Sequence, residues 1–359
     1  MGDAATDLMS FVASLGGDRQ LRVEENLGAG FVRLRVAEAE RRQAKHDIRC
    51  VEDAVIELLR NARDAGASHL YVASSREGDE RTITVIDDGD GIPEGMHERI
   101  FDARVTSKLD TMRMDRWGVH GRGMALYSVK ENAKVARVVA SAPGLGTSIK
   151  MVADVTSLRE RADQSTWPVM AVDYKSGGNQ MRGPHNIIRT CAEFALEEHD
   201  TCEVYLGSPA ELVATARRRV RISRANAVAL LQQDLDDLPL LQRLVAAADA
   251  RELSNVATSL GLDLSERTAQ RIIVGEIKPL RSVYSVLTKP HAVATTDVDL
   301  TRDQRSIRFT PKDLEAFREV VAQDFETLAE RYYLTLAADP VVRVRNGKVT
   351  VTFEVVELD

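Results

Sequence analysis

Three polar side chains recur along one predicted helix. Glu57, Asn61 and Asp64 are spaced at i, i+4 and i+7, so a helix would present them as a single stripe. The apolar residues of 55–65 follow the helical period, and Gly66 comes where a helix would stop. A carboxylate can take a proton from attacking water, and an amide oxygen suits Mg²⁺. The stripe therefore indicates metal-assisted hydrolysis, with Glu57 as the base and Asn61 as the metal ligand.

A second polar group follows a predicted strand. Residues 81–87 alternate and are rich in β-branched side chains, which is typical of a strand, and they run directly into Asp87-Asp-Gly89-Asp-Gly91. A carboxylate at the end of a strand can accept a hydrogen bond from the amino group of an adenine. Glycines allow the backbone to lie close to a flat base. We interpret Asp87, Gly89 and Gly91 as one wall of a base-binding site.

A glycine-rich turn, Gly118-Val-His-Gly121-Arg-Gly123, leads into an apolar helix predicted over 124–129. Backbone N–H groups and the helix dipole would make this turn an anion cradle. Gly146-Thr147 follows further along the chain. A lone glycine turn is usually only a turn or a packing contact, and a lone Asp-x-Gly-x-Gly is usually a surface loop. All four pieces in this order, between residues 57 and 147, indicate one shared site.

The four pieces resemble the N, G1, G2 and Gly-Thr boxes of the GHKL ATPase superfamily. That superfamily includes MutL, gyrase-type and type VI topoisomerase B subunits, the large heat-shock chaperone ATPases and the sensor histidine kinases. Arg104-Val-Thr-Ser-Lys108 is similar to the Ala-Thr-Ser-Lys lid of MutL, and Arg122-Gly-Met-Ala-Leu-Tyr-Ser128 resembles its Arg-Gly-Glu-Ala-Leu-x-Ser. Met124 stands where MutL carries Glu, and the glycine spacing also resembles the type VI B subunit. The resemblance covers residues 47–155 and implies a Bergerat fold, a sheet with helices on one face, and ATP beneath a flexible lid.

The resemblance implies a role for each matched residue. Glu57 would be the general base and Asn61 would bind Mg²⁺. Asp87 would bind the adenine amino group, with Thr147 beside it and Asp64 behind. The whole set implied for ATP is Asn61, Asp64, Asp87, Gly89, Gly91, Lys108, Gly118, Gly121, Arg122, Gly123, Met124 and Thr147.

Lysines form a separate group of candidates. Lys108 would belong to the lid. Topoisomerase-type and MutL-type relatives add a γ-phosphate lysine from the following domain, and Lys289 in Leu-Thr-Lys-Pro or Lys175 could match it. An exposed loop lysine is the alternative interpretation for each of these two.

Bulk composition limits the function classes. The chain has 359 residues, 44% of them hydrophobic, which allows two or three domains. A formal net charge of −7 argues against coating nucleic acid or anionic membrane by net charge. The three cysteines are not in metal-binding spacing and predict reduced thiols. With no signal-peptide pattern and no long apolar stretch, we predict a cytoplasmic protein without a membrane span.

The predicted fold class is α+β, with a two-layer Bergerat sandwich followed by a helical segment and a small C-terminal α/β region. The predicted division is residues 1–46 as an arm and a helix, 47–210 as the ATPase domain, 211–290 as a helical domain, and 291–359 as a helix and a β-hairpin. The arm's helix is predicted over 31–46. Whether residues 185–206 finish the ATPase sheet or open a second domain stays open.

Residues 254–273 resemble a helix-turn-helix, and the longer turn after Gly261 fits the helix–two-turn–helix of the type VI B subunit. The basic cluster Arg217-Arg-Arg-Val-Arg-Ile-Ser-Arg224 precedes them. An ordinary helical hairpin and one that contacts DNA or a partner protein both stay open.

Three functions are compatible with these motifs. The leading hypothesis is an ATP-hydrolysing conformational switch that forms a homodimer on binding ATP and acts with DNA or a partner protein. The second is a histidine-kinase-type phosphotransferase, for which His46 is the only acceptor in a fitting context, although it lies just eleven positions before Glu57. The third is a nucleotide-binding adaptor with little hydrolysis.

Overall fold

A five-stranded mixed sheet forms the centre of the larger of two units, Met1–Pro290 and His291–Asp359. The computed structural model describes residues 23–107, 113–115, 117–120, 123–161, 163–172, 179–222, 235–288, 311–345 and 348–357. The described helices of the larger unit are α1 (Glu38–Asp47), α2 (Val51–Asp64), α3 (Ala125–Asn132), α4 (Ile187–Glu197), α5 (Pro209–Arg219), α6 (Leu240–Ala246), α7 (Ala250–Ser259), α8 (Glu266–Ile273) and α9 (Val283–Thr288).

The described strands of the larger unit all precede α5 in the sequence. They are β1 (Val23–Gly28), β2 (Phe31–Leu34), β3 (His69–Glu77), β4 (Glu80–Asp87), β5 (Val105–Thr106), β6 (Arg113–Asp115), β7 (Gly118–His120), β8 (Val135–Ser141), β9 (Thr147–Asp154), β10 (Val169–Val172), β11 (Asn179–Arg182) and β12 (Glu203–Gly207). Short 3₁₀ helices span Glu94–Met96, Arg99–Phe101 and Leu235–Asp237.

The central sheet has the order β12-β3-β4-β9-β8. Its strands pair antiparallel except β12, which lies parallel to β3. The pairing of β12 settles the open question about residues 185–206, because that stretch completes the sheet. Asp87 ends β4 directly opposite Thr147, which begins β9, so two residues 60 positions apart in the sequence meet at one end of the sheet.

One face of the sheet packs against α2 and α4. The apolar period of α2 places Val55, Leu58 and Leu59 at 2% exposure or less, against alternate strand residues such as Val72 and Val85. Burying each such side chain stabilises the folded state by about 1.5–3 kcal/mol. Acidic residues in the first turn of α2 stabilise this helix, because their negative charge interacts favourably with the positive end of its dipole.

The second face of the sheet is also covered by helices. Strand side chains that point to this second face, such as Tyr71 and Ile86, join a core formed with α5, α6, α7 and α8. The turn after α7 bonds to the strands, because Thr84 Oγ1 donates to the carbonyl of Gly261 (3.0 Å) and Ser148 Oγ donates to that of Leu260 (2.7 Å). The predicted α+β class is confirmed, but the resemblance had implied helices on one face only.

One local prediction was wrong. Residues 31–46 do not form one helix, because Phe31–Leu34 is strand β2, paired with β1 and β5. Val32 and Leu34 alternate and are buried, which is the period of a strand. Residues 94–101 contain two separate 3₁₀ turns, Glu94–Met96 and Arg99–Phe101.

The smaller unit contains α10 (Pro311–Ala329), a 3₁₀ turn at Glu330–Tyr332, and four strands, β13 (Leu334–Leu336), β14 (Val341–Arg345), β15 (Lys348–Thr352) and β16 (Val355–Glu357). The predicted hairpin is confirmed, since β14 pairs antiparallel with β15 and Arg345 faces Lys348. Its turn residues, 346 and 347, lie outside the described residues. The four-part domain division stays a prediction. Among the helices that the structure describes, none has the length and apolar character needed to cross a bilayer.

Candidate functional site

A cavity of about 920 Å³ opens between α2, the end of β4, the start of β9 and the N-terminus of α3. This volume is in the range of sites that bind small molecules. The predicted site residues that line the cavity come from all four sequence pieces and are Glu57, Asn61, Asp64, Asp87, Gly91, Gly123, Met124 and Thr147. The fold therefore brings together residues that lie as far as 90 positions apart.

Helix α2 supplies the polar stripe of the cavity. Asn61 Nδ2 donates to the carbonyl oxygen of Glu57 at 2.8 Å, so the amide oxygen is the atom of Asn61 that can face a cation. One amide oxygen suits Mg²⁺, which binds few protein ligands and keeps waters and phosphates. Glu57 Oε1 accepts a hydrogen bond from Arg60 Nη1 at 2.6 Å. Within the described residues, no cluster of three or more His, Cys, Asp or Glu could hold a metal by itself.

The opposite wall of the cavity is buried and polar. Asp87 and Thr147 are 5% and 3% exposed. Asp87 Oδ1 accepts a hydrogen bond from the backbone N–H of Gly89 at 2.9 Å, and Thr147 Oγ1 lies 3.1 Å from Ser141 Oγ. Both polar side chains are thus held in place at the end of the sheet, where an adenine amino group could meet the carboxylate.

The two glycines after Asp87 make room for neighbouring backbone. Gly91 has a φ of +73°, and a Cβ there would lie 1.9 Å from the carbonyl oxygen of Ala142. A Cβ at Gly89 would lie 2.6 Å from the carbonyl oxygen of Ala65. We expected these glycines to approach a base. In the structure they let the loop after β4 pack against two other loops, and Gly91 also lines the cavity.

The N-terminus of α3 forms the third side of the cavity. Gly123 and Met124 precede this helix and line the cavity. The first N–H groups of a helix have no partner inside it, so they can face an anion. The carbonyl of Gly123 accepts a hydrogen bond from Arg104 N at 2.8 Å, which fastens this turn to the segment that resembles a lid.

The structure describes one further predicted site residue, Gly118. Gly118 begins strand β7 and pairs with Asp115. Lys108, Gly121 and Arg122 lie outside the described residues, as do both candidate phosphate lysines, Lys175 and Lys289.

Sequence reasoning missed a buried ion-pair network beside the stripe. Arg60 and Arg63 on α2 have side chains only 2% and 3% exposed. Their acceptors include Asp115 from β6 and Glu198 after α4. The spacing of Glu57 and Arg60 at i and i+3 could have predicted their ion pair, whereas no local pattern pointed to Asp115.

The basic cluster that begins in the last turn of α5 is partly used inside the fold. Arg217 Nη1 donates to the carbonyl oxygens of Leu244 (2.7 Å) and Ala247 (3.0 Å), and burial lowers the pKa of its guanidinium. Arg219 lies 5.1 Å above the ring of Tyr205. These two arginines stabilise the packing of the helices on the sheet, which weakens the argument for a DNA-binding cluster.

The helix-turn-helix-like pair consists of α7 and α8. Asp249 Oδ1 accepts from Glu252 N at 2.8 Å, and Ser265 Oγ accepts from Thr268 N at 3.2 Å, so each helix has a side-chain cap. His46 lies near the end of α1 and lines the same cavity as Glu57.

Residues 46–157 match the family of histidine kinase-, DNA gyrase B-, and HSP90-like ATPases. The chain carries a domain of this GHKL type. The matched segment contains α2, β4, α3 and the start of β9, which are the elements that surround the cavity. The recognition made from the motifs is therefore confirmed for this part of the chain.

Relatives with the same domain are DNA mismatch repair proteins MutL. That of Thermus aquaticus is 45% identical over 84 residues, covering 23% of this chain and 15% of the relative. That of Lactiplantibacillus plantarum is 39% identical over 97 residues, covering 26% of this chain and 14% of the relative. That of Acidiphilium cryptum is 36% identical over 108 residues, covering 30% and 18%. The matched segment thus spans less than a fifth of each relative's length.

Proposed function

We propose that this chain binds ATP with Mg²⁺ and hydrolyses it as a conformational switch. One observation carries the proposal: Glu57 and Asn61 lie one helical turn apart on α2 and line the same cavity as Asp87 and the N-terminus of α3. That arrangement combines a base, a metal ligand, a carboxylate for adenine and N–H groups for phosphates. The match of residues 46–157 to the GHKL family supports it.

The roles of the side chains follow from their chemistry. Asp87 would accept a hydrogen bond from the adenine amino group, and the first N–H groups of α3 would bind phosphate oxygens. Asn61 would hold Mg²⁺, which when bound would neutralise phosphate charge. Glu57 would take a proton from water as the water oxygen bonds to the γ-phosphorus and the bond to the β-phosphate oxygen breaks, releasing ADP.

The wider role is also a proposal. ATP would close the segment that begins at Arg104 over the cavity and bring two chains together, and hydrolysis would reverse both changes. The hydrogen bond between Arg104 N and the Gly123 carbonyl supports such a link. A connection to DNA rests on the names of the MutL relatives and on the pair α7 and α8. DNA-dependent turnover and salt-sensitive DNA binding would test it.

A nucleotide-binding adaptor with little hydrolysis is the second candidate function. The 2.6 Å ion pair between Glu57 and the buried guanidinium of Arg60 favours it. Hydrolysis would require Glu57 to reach water while Arg60 holds its Oε1, whereas an adaptor would not.

Replacing Glu57 by alanine tests the proposed base. ATP binding should remain, while turnover at saturating ATP should fall by about 10²- to 10⁴-fold, because general-base catalysis contributes that much. Glu131→Ala on α3 is a suitable control, since this carboxylate pairs with Lys45 (2.6 Å). Equal turnover in the wild type and Glu57→Ala would remove Glu57 from this role.

A further inference from the structure

The proposed base is bonded to a buried guanidinium that has a second carboxylate partner. Arg60 donates from Nη1 to Glu57 Oε1 at 2.6 Å. Its other edge holds Asp115 through two bonds, Nε to Oδ2 at 2.9 Å and Nη2 to Oδ1 at 3.0 Å. A guanidinium held by a bidentate carboxylate has a fixed orientation. The Nη1 donor of Arg60 therefore presents a fixed direction to Glu57.

Asp115 lies outside α2, in a hairpin whose turn residue Trp117 lines the cavity. It ends β6, which pairs with β7 at Gly118, and its Oδ1 also accepts from the backbone N–H of Trp117 at 3.0 Å. In sequence, this hairpin stands between the segment that resembles a lid and the glycine turn before α3. Arg60 thus connects the proposed base to a second element that borders the cavity.

We propose that Arg60, fixed by Asp115, is a positioning residue that couples the orientation of Glu57 to the docking of this hairpin on α2. When the hairpin is docked, Arg60 holds the Glu57 carboxylate in one orientation. When the hairpin leaves α2, Arg60 loses two of its bonds and Glu57 loses its fixed partner. Hydrolysis would then depend on the hairpin, whereas nucleotide affinity would not. This inference rests on the proposed ATPase function.

The network contains its own control. Arg63 is as buried as Arg60 and donates from Nη1 to Asp115 Oδ2 at 3.3 Å and to Glu198 Oε1 at 2.7 Å. In the described part of the chain, Asp115 holds both arginines, while Glu198 holds Arg63 but not Arg60. If the network only stabilises the fold, neutralising either carboxylate should have similar consequences. If it positions the base, only Asp115 should affect hydrolysis.

The test compares Asp115→Asn with Glu198→Gln in the full chain, by measuring kcat at saturating ATP and the Kd for ATP separately. Both substitutions keep the shape of the side chain and remove one charge that faces Arg63. We expect Asp115→Asn to lower kcat by about ten- to a hundredfold, the cost of a slightly misplaced catalytic group. Its Kd should stay within about twofold of the wild-type value, and Glu198→Gln should keep both constants within the same margin.

Arg60→Lys provides a second variant. Lysine keeps the charge but lacks the planar guanidinium, so it cannot bond Glu57 and Asp115 on two separate edges at once. We expect the kcat of this variant to fall as in Asp115→Asn, with ATP binding showing that the protein is folded.

Three results would overturn the inference: equal kcat in Asp115→Asn and Glu198→Gln, a loss confined to Kd, or wild-type kcat in Arg60→Lys. A wild-type chain that releases no phosphate would instead contradict the proposed function. Turnover that depends on Glu57 but is unchanged in Asp115→Asn would overturn the positioning role alone.

Discussion

The two faces of the central sheet differ in the side chains that they bury. On the face that carries α2, the helix buries two arginines beside a cavity lined by carboxylates and an amide. On the other face, α5, α6, α7 and α8 bury mainly leucine, valine and alanine, with hydroxyl bonds from Thr84 and Ser148 to the turn after α7. The comparison teaches that both faces contain an apolar core, while the α2 face carries in addition the polar cavity of the proposed ATP site.

The largest expected effect is on the apolar face. Leu253 on α7 is fully buried, so Leu253→Ala should lower the free energy of unfolding by about 2–5 kcal/mol. Chemical denaturation measures this loss, and Ile273→Ala, at a position 37% exposed on α8, is the milder control. The ATP Kd of folded Leu253→Ala should equal that of the wild type. A clear change in Kd would show that the two faces are not separate.

A smaller effect is expected at the cavity. Asp87→Asn replaces the carboxylate that would accept from adenine, and a hydrogen bond to a charged group is worth about 1.5–3 kcal/mol. Calorimetry should therefore show an ATP Kd raised by about ten- to a hundredfold. Stability should change little, because the amide oxygen can still accept from Gly89 N. Asp88→Asn is the matched control, since Asp88 faces His69. Equal Kd values for both variants would contradict the assignment of Asp87.

The smallest expected effect is a change in the stability of the fold with pH. A hydrogen bond to Asp88 (2.7 Å) raises the pKa of His69 above its ordinary value of 6.5, although burial opposes this. The pair should stabilise the fold below the ordinary pKa and lose this contribution as the pH rises through the raised pKa. Because both side chains are partly exposed, the effect should stay below about 1 kcal/mol. His69→Ala should thus lower the melting temperature more at pH 6 than at pH 9. An equal loss at both pH values would contradict the ion pair.

Local patterns predicted which residues of α2 line the cavity better than they predicted the contacts around it. The spacing of Glu57, Asn61 and Asp64 follows the helical period, so the stripe could be predicted from the sequence alone. The pairing of Arg60 with Asp115 joins residues 55 positions apart, and Thr84 bonds a carbonyl 177 positions away. Such contacts depend on tertiary packing and leave no periodic signal.

The wrong prediction for residues 31–46 has a related cause. The charged, alanine-rich stretch favours a helix, and α1 does form over its second half. Strand β2 forms over the first half because it pairs with β1 and β5. Pairing with strand β5, which lies far along the chain, outweighs local propensity there.

The most direct test of the central claim is phosphate release from ATP by the purified chain, measured against chain concentration, with and without magnesium and DNA. We predict magnesium-dependent release whose rate per chain rises with concentration, as expected if two chains close together on ATP. Faster release with DNA would support the DNA link. ATP that is bound but never hydrolysed, at any concentration and with or without DNA, would contradict the proposed hydrolysis.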